Sequence, residues 1–426
     1  MKQKQIEKLK NIPKLRFPEF LDSGDWEEVD LGELSQILRG GSPRPIDVFL
    51  TQKKTGLNWL KIGDVDKESK YITQTEERVI EAALTKTREV SPGDLIMSNS
   101  MSFGRPYILK IRSCIHDGWI AVTKLSDRID RDYLYYFFLS YGSQIYFINS
   151  AAGGGIKNLN AEIIKLLPVK FSSKKTEQRK IADCLTSIDD RITAETQKLA
   201  TLKAHKKGLT QQLFPAEGET LPKLRFPEFH DSGEWEEKEL GEISHKVMVG
   251  IASAATYAYR KSGIILFRNQ NIKEGYLDDK DILFIDEDYE KSHKNKRLKA
   301  GDLLTARTGY PGVTCVVPAK HEGSQSFTTL ITRPNNFIVN SDYLCIFINS
   351  EKGQAFFNST KIGGGQKNVN AGSLVGMPIS YPSHQEQQKI ADCLSSLDQL
   401  ITAQTQKIAT LKTHKKGLMQ QLFPSV

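Results

Sequence analysis

Apolar residues recur with a helical period in one stretch of the chain, and this stretch occurs twice. In residues 177–215 they alternate at three- and four-residue steps, the spacing of the apolar seam of a heptad repeat. The pattern returns in residues 386–424, which is 209 positions later (386 − 177), with roughly three quarters of the paired residues identical. The seam positions expected to pack helix against helix are Ile181, Leu185, Ile188, Ile192, Leu199 and Leu202, and then Ile390, Leu394, Leu397, Ile401, Ile408 and Leu411.

Each copy predicts a helix that is too long to bury its apolar stripe alone. At about 1.5 Å per residue, such a helix spans on the order of 55 Å. The other copy offers a matching stripe, so we expect two long antiparallel helices that pack as a coiled coil within one chain. Polar residues interrupt the seam at Glu195 and Lys206 and, in the second copy, at Gln404 and Lys415.

The duplication extends over the whole chain. The sequence KLRFPEF stands at residues 14–20 and again at 223–229, and DSGDWEEVDLGELS at 22–35 returns as DSGEWEEKELGEIS at 231–244. Each copy has the order entry motif, globular region, long helix, which predicts an internal repeat with pseudo-two-fold symmetry. The predicted divisions are a basic N-terminal segment (1–13), a first globular domain (14–173), a first long helix (174–215), a second globular domain (216–382) and a second long helix (383–426).

Both globular regions carry a mixed α/β (α+β) pattern, in which short strands precede an aromatic-rich helix and a glycine turn. The predicted strands lie at 57–65, 94–100, 107–111 and 120–125, and at 263–272, 302–308, 314–319 and 329–334; the predicted helices lie at 132–150 and 342–359. The interiors at 39–89 and 247–299 scarcely match, although the motifs around them do. We infer that the two helices face one partner present twice, whereas the two domains face different targets.

The composition favours a polyanionic partner and a reducing compartment. The net charge is +8 and the sequence pI is about 9.0. The five cysteines are scattered and never in a CxxC spacing, which argues against a disulfide framework or a structural zinc site. The charged N-terminus has no apolar run behind it, and no apolar stretch is long enough to span a bilayer. We therefore expect a cytoplasmic protein without a membrane segment.

The sequence offers little that would support catalysis. It has no GxxxxGK[ST] phosphate loop, no His/Cys cluster with metal spacing and no adenine-methyltransferase motif. Glu68-Ser69-Lys70 resembles the end of a nuclease ExK motif, but such a triplet arises readily by chance when 26% of the residues are charged. We therefore predict a non-catalytic chain with no metal or cofactor of its own.

Loops rich in Gly, Ser, Asn, Gln, Arg and Lys suit contacts with DNA. Arg and Lys pair with guanine, and Asn and Gln pair with adenine, while basic loops also contact phosphates. Many of the same residues also form turns and caps, so this alternative stays open. The candidates are Arg39, Gly40, Gly41, Ser42, Arg44, Lys61, Ser98, Asn99, Ser100, Arg105, Lys157 and Asn158 in the first domain, and Arg268, Asn269, Gln270, Asn271, Arg307, Thr308, Lys367 and Asn368 in the second.

Matched polar residues on the two long helices could bind two copies of one partner, although some of them could simply solvate the coiled coil. These partner-binding candidates are Lys180, Gln197, Lys198, Lys203 and His205, with Lys389, Gln406, Lys407, Lys412 and His414 in the second copy.

The motifs together resemble the specificity subunits of type I restriction-modification enzymes. The resemblance rests on the paired KLRFPEF entries, on WLKIGDV at 59–65 and FRNQNI at 267–272, on GDL at 93–95 and 301–303, and on the doubled KIADCL and QQLFP of the long helices. It implies two target-recognition domains, each reading half of a bipartite DNA site in a host-defence complex. It also implies two methyltransferase subunits and restriction subunits as partners, which would carry the S-adenosylmethionine, ATP and Mg²⁺.

This arrangement predicts how the site is read. Two domains that enter the major groove from one side of the duplex need half-site centres about one helical turn, ~10 base pairs, apart. Since the two interiors differ, the full site is expected to be non-palindromic. Two alternatives stay open: an interaction scaffold that reads no bases, and a nuclease that uses acidic residues near Glu68.

Overall fold

The protein forms two compact units, each containing part of both long helices. A computed structural model describes residues 12–99, 104–151, 159–253, 255–359 and 369–424. Unit 1 comprises residues 1–196 and 406–426, and unit 2 comprises residues 197–405. The predicted domain bounds treat each long helix as a separate element and stay a prediction.

Unit 1 contains eleven strands and four short helices among its described residues. The strands are β1 (Glu27–Asp30), β2 (Gln36–Arg39), β3 (Leu57–Leu60), β4 (Tyr71–Ile72), β5 (Glu77–Val79), β6 (Arg88–Val90), β7 (Leu95–Ser98), β8 (Pro106–Leu109), β9 (Ser113–Ile115), β10 (Trp119–Thr123) and β11 (Pro168–Phe171). The helices are α1 (Leu31–Leu34), α2 (Arg131–Leu139), α3 (Tyr141–Ser150) and α4 (Ala161–Lys165), followed by the first part of the long helix α5 (Lys175–Leu213).

The strands of unit 1 form a five-stranded sheet in the order β2-β10-β7-β8-β4, a four-stranded sheet in the order β5-β3-β9-β6, and the pair β1-β11. The β3–β9 and β4–β8 pairs are parallel. Most strand residues of β7, β8, β9 and β10 are buried on both faces, so their sequences are continuous apolar runs without alternation.

Unit 2 repeats this architecture with changes in strand length. Its strands are β12 (Glu236–Glu239), β13 (Ser244–Val249), β14 (Tyr259–Arg260), β15 (Ile264–Arg268), β16 (Ile272–Lys273), β17 (Tyr276–Leu277), β18 (Leu283–Ile285), β19 (Leu303–Thr305), β20 (Thr314–Val316), β21 (Gln325–Phe327), β22 (Leu330–Pro334) and β23 (Pro378–Tyr381). Its helices are α6 (Glu287–Lys291), α7 (Ser341–Asn349), α8 (Glu351–Ser359), α9 (Ala371–Val375) and the first part of the long helix α10 (His384–Leu422). The larger sheets have the orders β13-β22-β19-β20 and β14-β18-β15-β21.

The aromatic helix predicted in each region is wrong in one respect, because each is two helices. Ser140 lies between α2 and α3 with extended backbone angles (φ −64°, ψ 154°), and its Oγ accepts a hydrogen bond from the Ser143 N–H at 3.4 Å. Ser350 separates α7 from α8 in the same way and accepts from the Gly353 N–H at 3.3 Å. A serine that caps the following helix ends the preceding one, and the apolar period does not reveal it.

The two long helices confirm the periodicity of the sequence, and within each unit their segments run antiparallel. In unit 1, Lys415 Nζ lies 2.6 Å from Asp189 Oδ1, and Lys407 Nζ lies 2.7 Å from Glu195 Oε1. In unit 2, Lys206 Nζ lies 2.6 Å from Asp398 Oδ1. Thus the polar residues at Glu195, Lys206 and Lys415 form ion pairs between helices instead of remaining unpaired in the seam.

The predicted seam positions differ in burial along the helices. Those near the helix starts belong to the apolar cores of the two units. Ile181, Leu185, Ile390, Leu394 and Ile408 are buried, and Ile188, Ile192, Leu199, Leu202, Leu397, Ile401 and Leu411 are half-buried.

Each unit completes its aromatic core with a residue from the end of the other repeat. In unit 1, the ring of Tyr133 on α2 lies 5.5 Å from that of Phe423 and 6.0 Å from that of Trp26. In unit 2, the ring of Tyr343 lies 5.5 Å from that of Phe214. Neither core is therefore complete within one repeat. Each repeat needs the end of the other to complete its core.

The entry motif KLRFPEF contacts both long helices. The Leu15 N–H donates to Gln421 O at 2.9 Å, and the Arg16 guanidinium donates to both carboxylate oxygens of Glu177, at 2.7 and 2.8 Å. The second motif repeats the ion pair between Arg225 and Glu386, both at 2.8 Å. Each motif thus joins the beginning of one long helix to the end of the other. Among the described residues, no helix is both long and apolar enough to cross a membrane.

Candidate nucleic-acid interface

Four loop segments meet at one edge of unit 1, and eight of the twelve DNA-contact residues predicted in the first domain lie there. Strands β2 and β7 both pair antiparallel with β10, so that Arg39 lies opposite Ile120 and Ser98 lies opposite Trp119. The ends of β2 and β7 therefore lie beside the β9–β10 turn. The His116 N–H of that turn donates to Leu60 O at 3.2 Å, which adds the end of β3. We name this region, formed by residues 39–44, 61–64, 98–99 and 116–118, the recognition edge of unit 1.

Asp117 is the centre of this edge, and the sequence analysis missed it. Its Oδ1 accepts a hydrogen bond from Ser42 Oγ at 2.9 Å, and its carbonyl oxygen accepts from Asn99 Nδ2 at 2.9 Å and from Arg39 Nε at 3.4 Å. Arg44, with a side chain that is 85% exposed, lies 3.9 Å from the same carboxylate. An acidic residue does not suggest DNA contact, but the His-Asp-Gly turn between two strands could have drawn attention to it.

Gly40 and Gly41 are required by the fold, and their role in DNA contact stays a prediction. A Cβ at Gly40 would lie 2.1 Å from His116 O, and a Cβ at Gly41 would lie 2.6 Å from Lys86 O. The same close approach occurs in unit 2, where a Cβ at Gly250 would lie 2.5 Å from Ser326 O. The glycines thus let the chain approach itself, and the neighbouring side chains remain available for a ligand.

The turn after β3 recurs after β15 despite different sequences. Asp64 Oδ2 accepts a hydrogen bond from the Lys61 N–H at 2.8 Å, and Asn271 Oδ1 accepts from the Arg268 N–H at 3.0 Å. Burial raises the pKa of Asp64. The Lys61 ammonium lies 2.8 Å from Glu77, and this hydrogen bond raises the pKa of Lys61. One backbone frame therefore presents different side chains in the two units.

Three predicted contact residues are buried, and their role in DNA contact stays a prediction. Asn271 is 2% exposed, and its amide donates to Asp278 O at 3.1 Å and to Lys280 O at 2.8 Å. Ser98 and Asn99 are 0% and 3% exposed. The hydrogen bonds of Asn99 and Asn271 to the backbone of other residues hold the loops in shape.

In unit 2, Asn269 holds the corresponding edge together. Its Oδ1 accepts hydrogen bonds from the backbone N–H groups of Arg307, at 2.7 Å, and Thr308, at 3.5 Å, and its Nδ2 donates to Thr328 O at 3.3 Å. The ends of β15, β19 and β21 therefore converge on one amide. We name residues 250–253, 268–271, 307–310 and 328 the recognition edge of unit 2.

The side chains on this second edge differ from those on the first. Gln270 is exposed, Arg307 and Thr308 are half-buried, and Arg268 Nη2 donates to Asp281 O at 2.6 Å. Tyr310 is 83% exposed at the tip of the loop after β19. This tyrosine was not among the predicted contacts, although an aromatic residue between two glycines in a turn is a usable signal.

Arg105 adjoins the recognition edge of unit 1 through its backbone, because its carbonyl oxygen accepts a hydrogen bond from the Ser98 N–H at 3.2 Å. The Arg105 guanidinium carbon lies 5.7 Å from the centre of the Tyr107 ring, and burial raises the pKa of that tyrosine. Ser100, Lys157, Asn158, Lys367 and Asn368 lie outside the described residues.

All ten partner-binding candidates on the long helices are exposed, and four of them form ion pairs within their own unit. Lys180 pairs with Glu19 at 3.3 Å, Lys389 with Glu228 at 3.2 Å, Lys407 with Glu195 at 2.7 Å and Lys412 with Glu68 at 3.8 Å. The other six are Gln197, Lys198, Lys203, His205, Gln406 and His414. Their role in partner binding stays a prediction.

Both charged residues of the nuclease-like triplet face the long helices. Glu68 lies 3.8 Å from Lys412, and Lys70 lies 2.8 Å from Asp132 and 3.1 Å from Thr186 Oγ1. Within the described ranges, no group of three or more His, Cys, Asp or Glu side chains is placed to hold a metal ion.

Comparison with known proteins gives the same result for both halves of the chain. A sequence profile of the type I restriction modification DNA specificity domain matches residues 23–204 and, separately, residues 232–413. The MjaVIII specificity subunit, a type I restriction enzyme subunit of Methanocaldococcus jannaschii, is 23% identical over 437 residues, which cover 98% of this chain and 95% of that protein. The putative MjaX specificity subunit of the same organism is 27% identical over 196 residues, 45% of each chain.

Two solved structures share the fold. The S subunit of a type I restriction-modification system from M. genitalium superposes with a TM-score of 0.59 at 15% identity, covering 97% of this chain and 100% of that one. A structure that describes complex assembly and conformational transition of the type I R-M system gives a TM-score of 0.59 at 15% identity, with 93% and 97% of the two chains covered.

Proposed function

This chain belongs to the type I restriction modification DNA specificity family and carries the domain of that family in each half, and on this premise we propose that each unit reads one half of a bipartite DNA site. The observation that carries the proposal is the shared frame with different side chains. Asp64 and Asn271 hold the same turn, while the exposed residue inside it is Gly63 in one unit and Gln270 in the other. Two readers with different side chains select two different half-sites, which makes the full site asymmetric.

The chain acts without chemistry of its own in this proposal. Methyltransferase subunits modify the site, restriction subunits cleave DNA, and these partners carry S-adenosylmethionine, ATP and Mg²⁺. Two copies of the methyltransferase subunit dock on the long helices. The matched exposed pairs Gln197/Gln406 and His205/His414 support this, because they offer one binding surface twice.

Mapping of adenine methylation across a genome tests the function. In cells that carry the methyltransferase partner, we expect a split, asymmetric motif that disappears when this chain is deleted. Exchange of one unit's recognition residues is expected to change one half of the motif only, with the other half as internal control. Unchanged methylation by a complex that still assembles would identify the chain as a scaffold.

The long helices are expected to set the distance between the half-sites. Removal of four residues, 201–204, shortens α5 by about 6 Å, which corresponds to about two base pairs of duplex. Methylation mapping is expected to show the same half-sites with a changed spacer. Substitution of the exposed residues Thr201 and Lys203 at unchanged length is the control. If the spacer is unchanged after the deletion, the helices do not measure it.

A further inference from the structure

We infer that a pair of basic residues beside each recognition edge binds DNA phosphates: Lys86 and Arg88 in unit 1, and Lys294 and Lys296 in unit 2. The inference rests on the proposed function and extends it, because it assigns the sequence-independent part of DNA binding to positions that both units share. Phosphate contacts position a protein on a duplex without reading its sequence. None of these four residues was among the predicted contacts.

The two pairs occupy equivalent positions in the repeat. Lys86 precedes Gly93 of the first GDL motif by seven residues (93 − 86), and Lys294 precedes Gly301 of the second by seven (301 − 294). Arg88 and Lys296 follow two residues later in each case. The basic character is therefore retained at two positions within interiors that otherwise scarcely match.

Backbone contacts confirm this equivalence. Val90 on β6 pairs with Ser113 at the start of β9, and the Leu298 N–H donates to Ser324 O, at 2.9 Å, beside the start of β21. Val90 and Leu298 are each 1% exposed. Each cation pair thus precedes an apolar anchor that fixes its segment against the strand that leads to the recognition edge.

Both segments abut the glycine turn of their recognition edge. In unit 1, the carbonyl oxygen of Lys86 lies 2.6 Å from the Cβ position of Gly41. In unit 2, Lys296 Nζ donates to Gly250 O at 2.9 Å, and Ser253 Oγ lies 3.2 Å from His293 Nε2. A duplex that contacts the recognition edge therefore passes next to these cations.

The acidic residues next to these cations in sequence pair with other residues. Glu89 binds Arg112 in unit 1, and Glu290 binds Arg297 in unit 2. Lys291 Nζ forms an ion pair with Asp288 Oδ1 at 3.1 Å. Lys86, Arg88 and Lys294 are exposed and Lys296 is half-buried. Among the described residues, none of these four cations lies within ion-pair distance of a carboxylate.

The salt dependence of DNA binding tests the inference. The methyltransferase complex that contains this chain is titrated with a duplex carrying the mapped site and with a scrambled duplex of equal length. For Lys86→Gln/Arg88→Gln and for Lys294→Gln/Lys296→Gln, the slope of log affinity against log salt is expected to fall by about 0.9 per cation removed. Between 50 and 200 mM salt, the unchanged complex then loses about twelvefold more affinity than either double variant.

Matched variants separate charge from folding. Lys294→Gln alone removes a charge without touching the Lys296 bond and is expected to lower the slope by about 0.9. Lys294→Arg/Lys296→Arg keeps the charge and the slope. Lys246→Gln, an exposed lysine at the far end of β13, is expected to leave the slope unchanged.

The possible outcomes distinguish the inference from the function on which it rests. If the unchanged complex does not prefer the mapped duplex, the proposed function fails. If it prefers that duplex and the glutamine variants keep its slope, only the inference fails. A methylation motif that changes at one half in these variants would also overturn it, because the residues would then read bases. A lowered slope with an unchanged motif supports it.

Discussion

We expect Gly40→Ala to destabilise unit 1 by about 3 kcal/mol, the upper part of the usual range for an overpacked site. The added methyl group would lie 2.1 Å from His116 O, a backbone atom held between β9 and β10. The backbone cannot yield as a flexible side chain does, so the β9–β10 turn or the end of β2 must move. Because Asp117 lies in that turn, the recognition edge is displaced as well.

Hydrogen exchange of the assembled complex measures this effect, with faster exchange expected in β2, β9 and β10 and unchanged exchange in unit 2. Gly63→Ala is the matched control, because a Cβ at Gly63 has nothing within 4 Å. The control is expected to leave exchange unchanged. Equal exchange in the two variants would show that the turn accommodates the methyl group and that Gly40 is not required by packing.

Loss of the Arg225–Glu386 ion pair is expected to lower the free energy of unfolding of unit 2 by about 3–5 kcal/mol, as for other buried ion pairs that lose one partner. Arg225→Met leaves the Glu386 carboxylate, whose side chain is 1% exposed, without its bidentate partner. The hydrogen bond to Glu386 raises the pKa of Arg225, in agreement with a strong pair. The midpoint of urea unfolding of the full chain, followed by a probe in unit 2, is expected to fall.

Two further variants make this experiment decisive. Arg260→Met removes an arginine whose ion pair with Asp286 is 49% and 26% exposed, and such surface pairs contribute about 0–1 kcal/mol. Arg225→Met/Glu386→Leu removes both buried charges and is expected to recover much of the lost stability, because an apolar pair avoids the desolvation of an unpaired carboxylate. A large effect of Arg260→Met, or no recovery in the double variant, would contradict the account.

The pattern of apolar residues along the chain predicted the long helices and eight of the strand segments. The long helices follow from a period that lasts through the whole of residues 177–215 and 386–424, and each of the eight predicted strand segments overlaps a strand. The strand segments at 57–65 and 263–272 ended too late, since Asp64 and Asn271 accept backbone hydrogen bonds and turn the chain. Short polar side chains such as Asp and Asn can hydrogen-bond nearby backbone groups and so end a strand. This signal is easily overlooked within an apolar run.

The sequence predicted which loops form the candidate site, but not which of their residues contact one another. Arg39, Ser42 and Arg44 are close in sequence, but they meet Asp117, 75 residues beyond Ser42, only because β2 pairs with β10. No periodicity distinguishes that aspartate. Asn269 was chosen as a base-reading amide, yet its oxygen is occupied by the N–H of Arg307, 38 residues away in sequence. Such contacts depend on strand register and carry no local mark in the sequence.

The sequence by itself determined the duplication, the two long helices, the family and the expectation of two different readers. These follow from repetition and period, which can be recognised along the chain without knowing which segments meet in space. Only the tertiary structure decided that Gly40 makes room for the chain itself, that Arg16 pairs with Glu177 across 161 residues, and that Lys86 and Lys296 lie beside the glycine turns of their recognition edges. The physical reason is that each of these contacts joins segments distant in sequence, and strand pairing and burial alone decide which of them meet.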